Sequence, residues 1–149
     1  MKDRILLIIP AYNEEENILG TYKEIRNFNK NNKVKYDVIV INDGSTDNTE
    51  NILNENKIRH ITLIHNLGIG GAVQTGYKYA YENNYDIAVQ FDGDGQHDVN
   101  CVYDIIKPIL DKKADFTIGS RFIDKTSSRF KSTVARQIGI RVSHKYIYT

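Results

Sequence analysis

Val89-Gln90-Phe91-Asp92-Gly93-Asp94-Gly95-Gln96-His97-Asp98 runs from an apolar strand pattern straight into three acids, a carboxamide and two glycines. An extended chain points successive residues to opposite sides, so Asp92, Asp94 and Gln96 would project together if strand geometry persists past Phe91. The glycines between them would let another molecule approach the backbone closely. Two carboxylates and an amide oxygen are hard donors of the kind that suit Mg²⁺ or Mn²⁺. A cation held by one or two protein carboxylates usually serves a substrate phosphate.

Other readings of the stretch compete with this one. An EF-hand loop also begins Asp-x-Asp, but it needs Gly at its sixth position and Glu at its twelfth, where this chain has His97 and Tyr103. A phosphatase of the haloacid-dehalogenase type has Thr or Val where Gln96 stands, and here three strand-like segments come first. An ordinary acidic turn remains open, with Asp98 capping a following helix. His97, among oxygen donors, reads as a loop residue rather than a ligand.

Working outward, apolar runs and helical periodicities alternate. Ile5-Leu6-Leu7-Ile8-Ile9, ended by Pro10, reads as a buried parallel strand. Asn13 and Glu16 give a helix-start signature ahead of Ile18, Leu19, Tyr22, Ile25 and Phe28. Asp37–Ile41 is a second strand, ending at Asn42-Asp43-Gly44-Ser45, and Asp47 with Glu50 would cap a second helix. Ile61–Ile64 reads as a third strand, flanked by His60 and His65. Asn66-Leu67-Gly68-Ile69-Gly70-Gly71 then opens a helix. Its glycines form only a partial dinucleotide fingerprint, because Val73 stands at the third glycine position and the segment follows the third strand. They fit tight strand-to-helix packing or a place near a nucleotide. Ile87–Phe91 is the fourth strand, Val102–Leu110 a helix that Pro108 should kink or end early, and Phe116–Gly119 a fifth strand closed by Ser120-Arg121.

This alternation predicts an open α/β sheet of mostly parallel strands with flanking helices, and ligands of such sheets bind outside the carboxyl ends of the strands. The polar clusters Asn13-Glu14, Asp43, Asp92-Asp94-Gln96 and Arg121 fall at those ends.

With 149 residues, 40% hydrophobic and 26% charged, the chain has material for one core. Cys101 has no second cysteine to pair with and sits in an apolar helical pattern, so buried packing and a reducing, cytoplasmic setting are expected. No run approaches the ~18 apolar residues of a membrane-spanning helix. The net charge of +1 conceals an asymmetry: residues 121–149 hold seven Lys/Arg against Asp124, leaving 13 Lys/Arg against 18 Asp/Glu in residues 1–120. Val134, Ile138 and Val142 recur every four residues among Arg136, Arg141 and Lys145, the pattern of a basic amphipathic helix. Such a helix either packs on the sheet with solvated cations or docks on an anionic surface. A nucleic-acid partner would rest on this charge alone.

Ile9-Pro10-Ala11-Tyr12-Asn13-Glu14, Val40-Ile41-Asn42-Asp43-Gly44-Ser45-Thr46-Asp47, Asp92-Gly93-Asp94-Gly95-Gln96-His97 and Gly119-Ser120-Arg121, in this order, resemble the motifs of family 2 glycosyltransferases. The branch they look most like contains dolichyl-phosphate mannosyltransferases and bacterial polyprenyl-phosphate sugar transferases. The resemblance implies a GT-A fold, a Rossmann-like open sheet, spanning residues 1–122, with 123–149 a loop and basic helix facing the acceptor or membrane. It implies metal-dependent, inverting transfer from a UDP- or GDP-linked sugar to a lipid phosphate or glycan, by a cytoplasmic protein peripheral to the inner membrane face. Carried over by position, Pro10, Tyr12, Glu14, Ile41, Asp43, Phe91, Asp92 and Gly93 would bind the nucleotide sugar. Asp94 and Gln96 would hold Mg²⁺ or Mn²⁺, and Asp94, Arg121 and Arg136 would serve catalysis. Relatives in that branch continue past the basic helix, whereas this chain stops at Thr149, so a fragment holding the donor half, or a nucleotide-sugar-binding module without transfer activity, is the alternative expectation.

Overall fold

A computed structural model describes residues 3–93 and 98–119. It contains β1 (Ile5–Ala11), α1 (Ile18–Asn31), β2 (Tyr36–Asn42), α2 (Thr49–Glu55), β3 (His60–Thr62), α3 (Gly68–Glu82), β4 (Ile87–Gln90), a 3₁₀ turn (Val99–Cys101) and α4 (Val102–Leu110). The strands form one parallel sheet in the order β3-β2-β1-β4. The chain therefore reverses its direction of travel across the sheet between β1 and β4. No helix among the described residues is long and apolar enough to cross a membrane.

The unbroken apolar run of β1 reflects burial on both faces. Leu7 and Ile9 pack with Ile18 and Ile25 of α1, Leu53 of α2, and Val102 and Ile106 of α4. Leu6 and Ile8 point the other way, joining Ile39 and Ile41 of β2 beneath Ala72 and Ala80 of α3. Each such aliphatic, fully removed from water, stabilises the fold by roughly 1.5–3 kcal/mol. Covering the second face with small residues brings α3 very close to the sheet. A Cβ built on Gly76 would lie 2.2 Å from Cγ2 of Ile8, a buried core side chain.

β1 continues through Pro10 to Ala11, beyond the stop expected at Ile9. In a parallel strand alternate residues direct their N–H and C=O groups to the same neighbour. The Ile8 carbonyl accepts from Phe91 N at 2.8 Å, so Pro10 faces the same side, where β4 has already ended at Gln90 opposite Ile8. The missing N–H therefore costs no ladder bond.

Several local expectations are corrected. Asn13 does not start α1: it lies at φ 56°, in a loop, and the helix begins at Ile18 after a turn in which Asn17 N and Ile18 N donate to the Glu14 carbonyl. β3 is His60–Thr62 rather than Ile61–Ile64, with His60 inside the strand, and Ile64 is fully in solvent because Leu63 makes the last bond to β2, at Asn42. Residues 116–119 form no strand, and Phe116 and Ile118 are exposed. Cys101 is exposed, since the helical register that would bury it starts only at Val102 after the 3₁₀ turn. Asp98 does cap that turn, accepting from Asn100 N at 2.9 Å. Pro108 ends α4 two residues later, its carbonyl taking Lys113 N at 2.8 Å.

Tyr36, 2% exposed, stacks on Phe28 at 5.2 Å between ring centroids, and its hydroxyl has no protein hydrogen-bond partner among the described residues. Burial first, then the neighbouring Tyr103 and Asp104, pushes its pKa up to about 12. The folded state thus holds the neutral phenol more strongly than the unfolded chain does. The resulting stability is present below pH 10 and lost as pH rises from 10 through about 12.

Two measurements check this packing. Gly76→Ala gains ~1 kcal/mol of helix propensity but must displace Ile8, which outweighs it; urea denaturation should show a net loss of roughly 1–2 kcal/mol. Tyr36→Phe should be neutral or slightly stabilising at pH 7, because it removes an unpaired buried hydroxyl. Its advantage over the wild type should widen between pH 10 and 12.

Candidate functional site

The order reversal between β1 and β4 places a crevice at the carboxyl edge of the sheet, the position where open α/β sheets bind ligands. A cavity of about 300 Å³ occupies it. Pro10 and Tyr12 enter from the end of β1, Glu14 from the loop beyond, Asp43 from the end of β2, and Asp92 and Gly93 from the chain leaving β4. Six of the eight residues expected to bind a nucleotide sugar thus meet in one place. Ile41 and Phe91 do not line the cavity; both side chains are buried, Ile41 under α3 and Phe91 in the opposite core.

The remaining wall was not anticipated from the sequence. Ala11 belongs to the unforeseen end of β1, and Ile69 and Ala72 come from the first turns of α3. The only signal for the latter pair was the glycine-rich helix start. Cβ atoms on Gly68 or Gly70 would meet nothing within 4 Å, so close packing is not what these two glycines provide; Gly76 provides it instead. Gly68, at φ 76°, uses a conformation that side chains disfavour. The positive end of the α3 dipole is thereby presented to the cavity, an environment that favours anions.

Asp43 joins the two walls. It is buried, its N–H donates to the Ala11 carbonyl at 2.8 Å, and its Oδ1 accepts from Leu67 N at 2.7 Å, immediately before α3. Behind it, two loops are laced together. Asn13 Oδ1 accepts from Thr46 N at 2.8 Å while Asn13 N donates to Ser45 Oγ at 3.0 Å. Glu14 N donates to Thr49 Oγ1 at 2.9 Å, and Glu15 N to Asp47 Oδ2 at 3.1 Å. Asp47 Oδ1 in turn takes Thr49 N and the Thr49 hydroxyl, although the N-cap of α2 is Asn48 rather than the expected Asp47 and its side chain makes no capping bond. Burial pulls the Asp47 pKa upward, but the hydrogen bonds from the Thr49 hydroxyl and from backbone N–H groups outweigh it and hold the carboxyl below its ordinary value.

The acidic stretch departs from strand geometry sooner than expected. β4 ends at Gln90 and Gly93 lies in a turn, so the ladder does not carry Asp92 onward. Gln90 Nε2 donates to Asp92 Oδ1 at 3.1 Å, and the buried Thr21 hydroxyl donates to the Gly93 carbonyl at 3.1 Å. A Cβ on Gly93 would stand 3.1 Å from Cγ2 of Ile9, so the glycine fits the turn against the end of β1. Asp94 and Gln96, expected to hold a metal, and Arg121 and Arg136, expected to serve catalysis, lie outside the described residues. Among the described residues no three His, Cys, Asp or Glu side chains converge to hold a metal ion. The cavity's own carboxylates, Glu14, Asp43 and Asp92, are hard oxygen donors.

A cavity of similar size, about 320 Å³, lies at the amino edge of β2, lined by Arg26, Asn29, Lys57 and Arg59 among others. It is remote from the strand ends where the polar motifs converge. Partial desolvation, then Asp98 and Asp104, raises the pKa of the exposed Cys101 thiol, the opposite of what activates a nucleophilic cysteine.

Comparison with known proteins agrees with this geometry. The UDP-N-acetylglucosamine–dolichyl-phosphate N-acetylglucosaminyltransferase of Methanococcus voltae is 38% identical over 150 residues, covering 89% of this chain and 57% of that protein. The undecaprenyl-phosphate mannosyltransferase of Micrococcus luteus is 31% identical, over 79% of this chain and 48% of that one. The chain spans about half the length of these relatives. Among solved structures, glucosyl-3-phosphoglycerate synthase from Mycobacterium tuberculosis, in complex with Mn²⁺, UDP and glucosyl-3-phosphoglycerate, superposes with a TM-score of 0.57 at 26% identity, over 72% of this chain and 40% of that one. The parallel open sheet with flanking helices is the GT-A arrangement of such nucleotide-sugar transferases. Residues 6–147 match the sequence model of glycosyl transferase family 2, and the chain belongs to that family.

Proposed function

We propose that the protein is an inverting glycosyltransferase whose donor, a nucleotide diphosphate sugar, binds in the cavity between β1, β2, β4 and the start of α3. The observation that carries the reading is the meeting of Tyr12, Glu14, Asp43 and Asp92 with the amino end of α3 at the point where the strand order reverses. Tyr12 and Glu14 bound the nucleoside on one side, Ile69 and Ala72 on the other. Asp43 sets the spacing between them through its bonds to Ala11 and Leu67. Asp92 faces the nucleoside.

Asp94 and Gln96 follow directly in the chain and hold a divalent cation, Mg²⁺ or Mn²⁺, against the diphosphate. That cation supplies positive charge to the departing group. The acceptor is a polyprenyl phosphate, the class named for the relatives from M. voltae and M. luteus. Its phosphate oxygen, already anionic, forms the new bond at the anomeric carbon as the bond to the nucleoside diphosphate breaks, so little general-base help is required. Arg121 and Arg136 meet phosphate groups of donor or acceptor, a task suited to the guanidinium fork. Residues 1–122 form the donor-binding core and 123–149 the side that meets acceptor and membrane. Such a protein acts as a cytoplasmic, peripheral component at the inner membrane face.

Isothermal titration with UDP and GDP, with and without Mn²⁺, tests the donor site. One of the two should bind, more tightly with the metal, and Asp94→Ala should lose at least about tenfold in affinity with its melting transition intact. A folded sample that binds neither nucleotide contradicts the proposal. Transfer of labelled sugar to polyprenyl phosphate separates catalysis from donor binding alone. Arg136→Ala should lower that transfer without changing nucleotide affinity.

A further inference from the structure

Thr49 opens α2, is completely buried and lines no part of the cavity. Its hydroxyl is nevertheless fully committed towards the cavity wall. It accepts the Glu14 N–H at 2.9 Å and donates to Asp47 Oδ1 at 2.6 Å, while the other carboxylate oxygen of Asp47 accepts Glu15 N at 3.1 Å. Two successive N–H groups, those of Glu14 and Glu15, are thus held by one hydroxyl–carboxylate pair at the start of α2 and in the loop before it. On its far side the Glu14 carboxylate accepts from Asn17 Nδ2 at 3.0 Å. The loop is also tied through Asn13 to Ser45 and Thr46 and through the Glu15 carboxylate, which accepts Asn48 N at 2.9 Å, and the bond that fixes the Glu14 N–H is the one to Thr49.

We infer that Thr49 and Asp47 form a positioning pair for the donor site, holding the Glu14 backbone so that Tyr12 and Glu14 keep the geometry that binds the nucleoside diphosphate. This rests on the donor site proposed above. The pair acts through Glu14 and touches no ligand itself. The short charge-assisted bond between hydroxyl and carboxylate fixes the hydroxyl's proton on the Asp47 side, which leaves its lone pairs directed at the Glu14 N–H. A bland alternative gives Thr49 only a packing role, filling space under the start of α2.

Two substitutions at one position separate these roles. Thr49→Val keeps the volume and removes the hydroxyl, whereas Thr49→Ser keeps the hydroxyl and leaves a methyl-sized gap. Affinity for whichever of UDP and GDP the wild type binds, measured with Mn²⁺, should fall about tenfold in Thr49→Val and stay within about threefold of wild type in Thr49→Ser. Equal affinities for Thr49→Val and wild type, or a loss in Thr49→Ser matching that in Thr49→Val, would overturn the positioning role. Should Thr49→Val not melt cooperatively, Asp47→Asn at its half-exposed position carries the test, with a loss of about threefold to fivefold expected and unchanged affinity counting against the pair. Failure of the wild-type chain to bind any nucleoside diphosphate would instead remove the donor site and this inference with it.

Discussion

β4 stops at Gln90, opposite Ile8, while β1 and β2 run on together to Ala11 and Asn42. That offset in the parallel ladder is the constraint on which the rest depends. Among the described residues it leaves one side of β1 unpaired over its last residues, and Pro10, which has no N–H to offer a neighbour, stands there without loss. The chain leaving β4 is thereby free to turn at Gly93 across the end of β1, where a larger residue would strike Ile9. A crevice results between strand ends that belong to one rigid, doubly buried sheet.

The sheet fixes where the crevice lies, and polar contacts fix its walls. Asp43 links the end of β1 to the start of α3, and the bonds among Asn13, Glu14, Glu15, Ser45, Thr46, Asp47 and Thr49 tie the loop after β1 to the loop after β2. Segments more than 30 residues apart in sequence are thereby joined. Such preorganisation is what a site needs if binding energy is not to be consumed in ordering loops. The apolar side contributes as well, because a small-residue face on α3 lets its amino end reach the crevice.

Much of this was legible in the sequence, for identifiable reasons. β1 and β2 are buried on both faces, so their apolar runs carry a signal that no surface element imitates, and the polar residues closing each run mark the strand ends. Glu14, Asp43 and Asp92 could accordingly be placed together, whereas Pro10, Tyr12 and Gly93 were expected at the site only through the resemblance to family 2 glycosyltransferases. What escaped depends on tertiary contact. Ile41 and Phe91 adjoin site motifs, yet the strand alternation turns their side chains into the core. Gly76 looks unremarkable inside its helix until Ile8 is seen beneath it, whereas the conspicuous Gly68 and Gly70 have open space. Phe116 and Ile118 alternate as a strand should, but nothing in their local pattern says whether an edge is available to receive them. Asn13 and Glu16 have the spacing of a helix start, but Asn13 spends its side chain on Thr46 of another loop.

The central claim is that the crevice beyond β1, β2 and β4 is the nucleotide site of this family 2 chain. A crystal structure of the protein with UDP and Mn²⁺, with anomalous data collected at the manganese edge, tests it most directly. The account predicts uridine density between Tyr12 and Glu14 on one side and Ile69 and Ala72 on the other, with the anomalous peak bonded by the Asp94 carboxylate. UDP ordered instead in the amino-edge cavity beside Arg26 and Arg59, or a manganese peak touching none of residues 92–96, would contradict it.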